Sequence, residues 1–183
     1  MKRFGMSVSV AILAVVLAGC MGATPIRPVS GPDASVAYGN ISIPDRHITN
    51  VMLYKVGVVY APPFKSPPHG HTYTNGNFFF ENLEPGQYYL VGFMSGQDAF
   101  YFNYQGIKKE EFVKKVAIEI KPGAATYLGS YKVTGIERNF LSADKFDIKP
   151  SQTPTRSDIL IQLQEAAKGT GWDTRFANAM SKK

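Results

Sequence analysis

Asn75-Gly76-Asn77-Phe78-Phe79-Phe80-Glu81-Asn82-Leu83-Glu84-Pro85-Gly86-Gln87-Tyr88-Tyr89-Leu90 decides how this chain folds. Asn-Gly is a strong turn signal, because both residues tolerate the left-handed backbone that a tight reversal needs. An extended strand sends successive side chains to opposite faces, so Phe78 and Phe80 share one face. Leu83 closes the end of that apolar layer. Glu84-Pro85-Gly86 then turns the chain, with Gly86 supplying the positive φ of a type II turn. Tyr88 and Leu90 share a face of the returning strand.

The same pattern continues on both sides. The run from Val51 to Tyr60 and the triplet Phe100-Tyr101-Phe102 are rich in β-branched and aromatic residues. Val116, Ile118 and Ile120 alternate with Ala117 and Glu119, as a half-buried strand requires. Thr126 to Val133 is a further apolar run, and Lys121-Pro122-Gly123 is a further turn. Several short strands with such turns predict a mainly β fold, a sandwich over residues 35–148. Residues 149–183 read as helical. Ser157 is positioned to cap a helix reaching Lys168, with Ile159, Leu160, Leu163, Ala166 and Ala167 on one side. Trp172, Phe176 and Met180 recur every four residues and predict a second short helix. These helices pack on the sandwich or on a partner. Twelve Phe and ten Tyr predict an aromatic-rich core.

Phe78, Phe80, Leu83, Pro85, Gly86, Tyr88 and Leu90 match a turn followed by F-x-F-x-x-L-x-P-G-x-Y-x-L. That pattern resembles the carboxypeptidase regulatory-like and Cna-B-like modules, over roughly residues 36–134. The resemblance implies a transthyretin-like or Ig-like sandwich, with Val51-Met52-Leu53-Tyr54 on a strand that carries a variable loop. It implies little about function, since family members act as spacers, adhesion elements and sugar-binding modules. Some Cna-B-like domains contain a Lys–Asn isopeptide bond. Lys55 is the donor candidate here, and no acceptor can be placed.

The chain begins with Met1-Lys2-Arg3, a cationic head, followed by apolar or small residues from Phe4 to Leu17. A charged head, an apolar stretch and a small-residue cut site describe a secretory signal over residues 1–19. The apolar run is shorter than the roughly 20 residues a membrane-spanning helix needs. Leu17-Ala18-Gly19-Cys20 resembles the lipobox of bacterial lipoproteins. The resemblance implies cleavage between Gly19 and Cys20, diacylglycerol on the Cys20 sulfur and an acyl chain on its new amine. Two or three such chains hold a protein firmly on a bilayer. Met21, in place of an Asp, resembles the class sorted to the outer membrane and not the inner one. Residues 20–34 contain Pro25, Pro28 and Pro32 with Gly22 and Gly31, and read as an extended tether.

The expected mature chain keeps 164 residues, enough for one domain. Losing Lys2 and Arg3 leaves eighteen basic against fourteen acidic residues, a charge of +4. That mild excess does not single out nucleic acid as a partner. The only cysteine is Cys20, so no disulfide can form within the chain and no cysteine nucleophile remains after lipidation. G-x-S-x-G, H-E-x-x-H and phosphate-cradling loops are absent, as is the H-x-x-E pair of metallocarboxypeptidases. His69 and His71 flank Gly70 and would share a strand face. They are candidate metal ligands only if His47 or Asp45 joins them, since a firm site takes three or four donors. The alternative is a solvent-exposed Pro-rich loop. Tyr101 and Tyr104, with Tyr89, are candidates for stacking sugars, against the alternative that they fill the core. Tyr101, Tyr104 and Trp172 are also candidate partner contacts, with the loop from Pro62 to His71 and the C-terminal helices. The expectation is a non-catalytic, lipid-anchored binding or structural module without a cofactor. Its expected partners are the bilayer, an envelope protein, and alternatively peptidoglycan or polysaccharide.

Overall fold

The computed structural model describes residues 25–61, 64–102, 109–137 and 145–181. Their strands form two sheets. The first contains β1 (Ser35–Ser42), β3 (Gly70–Thr72), β4 (Asn77–Leu83), β8 (Ala125–Glu137) and β9 (Lys145–Pro150), ordered β3-β4-β1-β8-β9. The second contains β2 (Asn50–Lys55), β5 (Gly86–Ser95), β6 (Asp98–Tyr101) and β7 (Ile118–Ile120), with β2, β6 and β7 all pairing with β5. β1 and β8 run parallel, and the other pairs are antiparallel. This is the mainly β sandwich with C-terminal helices that the sequence predicts.

The expected register explains the core. Phe78 and Phe80 face the second sheet, where they meet Leu53, Tyr88, Phe93, Phe100 and Ile120. Phe79 points the other way, into a second cluster with Val36, Tyr38, Ile159, Leu160, Leu163, Trp172 and Phe176. Three consecutive phenylalanines are tolerated because the first sheet is covered on both faces. A strand buried on both sides reads as a continuous apolar run. In β5 a register shift opposite Met52 and Leu53 inserts one extra residue. That bulge lets Phe93 join Tyr88 on the inner face although their numbers differ in parity.

The second cover consists of α2 (Arg156–Ala166) and α3 (Trp172–Ser181). Both lie on their own sandwich. The cap of α2 is Thr155, in place of the expected Ser157. Its hydroxyl accepts from the Asp158 amide, and Asp158 bonds back to the Thr155 amide at 2.9 Å. This reciprocal pair satisfies two orphan donors of the first turn. Trp172, Phe176 and Ala179 are the buried face of α3.

Four other expectations change. Gly86 has φ 145, beyond the value near +80° of a type II turn, while Asn82 takes the left-handed φ of 53. Val116 ends a helix, α1 (Lys109–Val116), and only Ile118–Ile120 is strand. Glu110 and Glu111 in the first turn and Lys114 and Lys115 in the last suit the helix dipole. β9 carries the sandwich two residues past the expected boundary, to Pro150. Most consequentially, the expected tether is not free from Ile26 onward. Ile26 and Val29 pack on the second cluster, the Val29 amide bonds Thr170, and Arg175 bonds the carbonyls of Gly31 and Pro32. Proline and glycine here shape a coat for the helices. Among the described residues no helix is long and apolar enough to cross a membrane.

Candidate functional site

Two clusters of polar side chains lie on the helix-covered face of the first sheet, near opposite ends of β4. The first gathers around Glu81. Its position, odd-numbered like Phe79, turns it away from the inter-sheet core and leaves it only 4% exposed. A buried carboxylate must be paired or hydrogen-bonded. Arg27 does both: its Nε donates to Oε1 at 2.7 Å and its backbone amide to Oε2 at 2.9 Å. The segment is fixed further where Asn82 Nδ2 donates to the Pro28 carbonyl and the Ser30 amide donates to Asn82 Oδ1. Trp172 Nε1 donates to the Arg27 carbonyl at 2.9 Å. The incoming chain is thereby clamped between β4 and α3.

His71 belongs to the same cluster. It is buried, stacks on Phe79 at 4.7 Å between centroids, and places Nε2 3.4 Å from Glu81 Oε2. Among the described residues that nitrogen has no hydrogen-bond partner. Burial holds the His71 pKa below its ordinary value of 6.5 and outweighs the opposing pull of Glu81. The imidazole is therefore neutral at neutral pH, and Arg27 is the charged partner of Glu81. Burial, then Glu81's negative charge, raises the pKa of nearby Tyr73.

The second cluster lies at the Asn75-Gly76 turn. Asn77 Nδ2 donates to Gln162 Oε1 of α2 at 2.6 Å, and Asn75 Nδ2 donates to the same oxygen. Asn40 Nδ2 donates to Asn77 Oδ1 at 2.8 Å and to the Asn75 carbonyl at 3.1 Å. Beside these amides is a hollow of about 200 Å³, lined by Tyr73, Thr74, Asn75, Asn77, Gln162, Leu163 and Ala166. One aromatic ring among amides is the side-chain chemistry that binds a sugar hydroxyl array. The hollow is below the 300–1,000 Å³ usual for sites that bury a drug-sized ligand.

The residues expected from sequence are scattered. Gly19, Cys20 and Tyr104 lie outside the described residues. His69 is exposed, with its ring 5.9 Å from that of His71. His47 bonds the Thr74 carbonyl through Nδ1 at 2.9 Å, and Asp45 is exposed. Among the described residues no three His, Cys, Asp or Glu side chains are grouped to hold a metal ion. The geometry therefore does not bring His69, His71, His47 and Asp45 together as ligands. Tyr101 is 54% exposed and keeps its candidacy as a contact. Tyr89 is buried and packs edge-on against Tyr54. Trp172 is fully buried, so its expected role as a partner contact is corrected: the indole is core, tied to Arg27. Lys55 Nζ pairs with Glu84 at 2.8 Å and lies over the Tyr88 ring. In the Pro62 to His71 loop, Phe64 is almost wholly exposed while His71 is buried.

Glu81, Arg27 and Gln162 belong to no functional motif of the sequence. The signal was nonetheless there: in Phe78-Phe79-Phe80-Glu81 the odd positions face a covered layer, so the carboxylate after Phe79 needs a cation from elsewhere. No family model matches this chain, and no curated protein matches it.

Proposed function

We propose that this chain is a bacterial lipoprotein, a non-catalytic binding module held on the envelope, on the outer membrane in preference to the inner, by acyl chains on Cys20. The observation that carries the reading is Leu17-Ala18-Gly19-Cys20 after an apolar stretch, with the chain's only cysteine at the cut site. The motif from Phe78 to Leu90 supports reading the sandwich as a transthyretin-like, carboxypeptidase regulatory-like domain, a scaffold whose function lies in its loops. An envelope protein is the proposed partner, met through exposed positions such as Tyr101. The test is metabolic labelling with a fatty acid, followed by fractionation. The native chain incorporates label and sediments with membranes, while Cys20→Ser loses both. Equal sedimentation of the two without label contradicts the proposal.

The hollow at Tyr73, Asn75, Asn77 and Gln162 favours a second reading, a glycan- or peptidoglycan-binding lipoprotein. Sedimentation with purified peptidoglycan checks it. Under this reading the native protein co-sediments and Tyr73→Ala weakens it about ten-fold. Absence of binding by the folded native protein removes this reading and leaves the first intact.

A further inference from the structure

The strand register gathers several features at one end of the sandwich. Ser35 pairs with Leu83, Lys55 with Tyr88, Gly86 with Ile120 and Val36 with Ala125. Hence the start of β1, the end of β2, the end of β4, the start of β5 and the start of β8 share that end. The loop after β2 leaves from it. The incoming chain arrives there too, since Arg27 is bound to Glu81 and Pro28 to Asn82.

This loop is built to present its tip. Tyr60 folds back on β2, with its hydroxyl accepting from the Lys55 amide at 3.1 Å and its ring 4.8 Å from that of Tyr54. Ala61 and Lys65 then exchange backbone hydrogen bonds at 3.0 and 3.1 Å. The result leaves Val59 84% and Phe64 95% exposed. Of the four large apolar side chains that are exposed among the described residues, these two stand on the loop at the end where the chain comes in. Lys65 supplies an exposed cation at the same end, where Arg27 is paired with Glu81 and Lys55 with Glu84.

Arg27 is the first described residue hydrogen-bonded to the sandwich, and seven peptide links separate it from Cys20. At full extension they span about 23–25 Å. A lipid on Cys20 therefore keeps this end of the sandwich within that distance of the leaflet. From these observations we infer that Val59 and Phe64, flanked by Lys65, enter the headgroup region of the same anionic leaflet that holds Cys20. The inference rests on the lipid-anchor reading. Its chemistry is that of an apolar wedge with a cation beside it, which seats at a depth of roughly 5–10 Å in the interface. Such contact fixes the orientation of the sandwich and points the Asn75-Gly76 end away from the bilayer.

The experiment uses the acylated full-length mature protein in vesicles of phosphatidylethanolamine and phosphatidylglycerol. Cys20 is consumed by lipid, so Phe64→Cys carries a single reactive thiol for an environment-sensitive fluorophore. Val59→Cys is the second position, and Thr74→Cys, at the opposite end, is the control. Intact mass first establishes the acyl chains, and the emission of buried Trp172 establishes folding. We expect brominated lipid to quench positions 59 and 64 at least two-fold more than position 74. Acylated protein with equal, weak quenching at all three overturns the inference and leaves the anchor standing. A blue shift at position 64 without lipid quenching assigns the tip to a protein partner or a second copy, which also overturns it. Absence of acyl chains removes the anchor and the inference together.

Discussion

At Glu81 a carboxylate is closed off from water, and every group around it follows from that. Arg27 supplies two donors, so Arg27→Ala leaves a buried anion short of one charge-assisted hydrogen bond. Such bonds contribute about 1.5–3 kcal/mol, and the Arg27 side chain is 65% exposed, which screens the pair. We expect about 1–2 kcal/mol of destabilisation by urea titration, and less for Arg27→Lys. His71 gives a pH signature. Its folded pKa lies below 6.5, so the unfolded chain binds the proton more readily. Stability is therefore fully present above the unfolded value and falls as pH drops from 6.5 toward the folded pKa. The groups facing His71 are Glu81, Arg27 and His69, and Glu81 only partly offsets the burial cost. Melting temperatures measured from pH 7.5 to pH 5 should decline for the native protein. His71→Gln should flatten that decline. A native profile that is flat, or that rises on acidification, contradicts the account of a neutral buried imidazole. The burial of His71 was not legible in the sequence, because His69-Gly70-His71 reads as a loop until β4 is seen to pair with it.

Elements whose periodicity is strong were legible. The alternation in Phe78–Leu83 and in Tyr88–Leu90, and the four-residue spacing of Trp172 and Phe176, each correspond to a buried face in the folded chain. The sequence is silent where contacts, and not periodicity, decide the conformation. α1 is short and polar, and its helical signal is only the placement of Glu110, Glu111, Lys114 and Lys115. The bulge in β5 leaves no mark that a strict two-residue alternation would reveal. Ser157 and Thr155 both precede the apolar run of α2, and only Thr155, the cap, has an acid three residues on. Thr155→Ala should cost about 1 kcal/mol in chemical denaturation, while Ser157→Ala changes little. The reversal into β4 depends on Gly76. Its φ is 84, and a Cβ there would lie 2.2 Å from the Ile41 carbonyl oxygen. Gly76→Ala should cost about 2–3 kcal/mol, visible as a lower denaturation midpoint. An unchanged midpoint would mean that the turn relaxes freely.

At the scale of the molecule, the described residues form three layers, sheet on sheet with helices on the outer face of one sheet, and the incoming segment seals the third layer. Phe176 and Trp172 make that layer one body with the sandwich. Phe176→Ala should cost about 3–5 kcal/mol and expose the outer face of the first sheet, which dye binding would detect. Deleting residues 25–33 should act similarly, since it removes Ile26, Val29 and the partners of Glu81, Asn82 and Arg175. This layer also sets how the domain relates to Cys20. The sequence suggests a domain on a leash, because prolines and glycines are read as spacer when their contacts are unseen. Ile26, Arg27 and Val29 are instead packed on or bonded to the sandwich. The most direct measurement of the central claim is the intact mass of the protein recovered from the envelope of its host. The account predicts a chain beginning at Cys20, heavier than its amino acids by a diacylglycerol group and, where the amine is acylated, by one further acyl chain. A chain that retains residues 1–19, or one cut elsewhere with an unmodified Cys20, would contradict it.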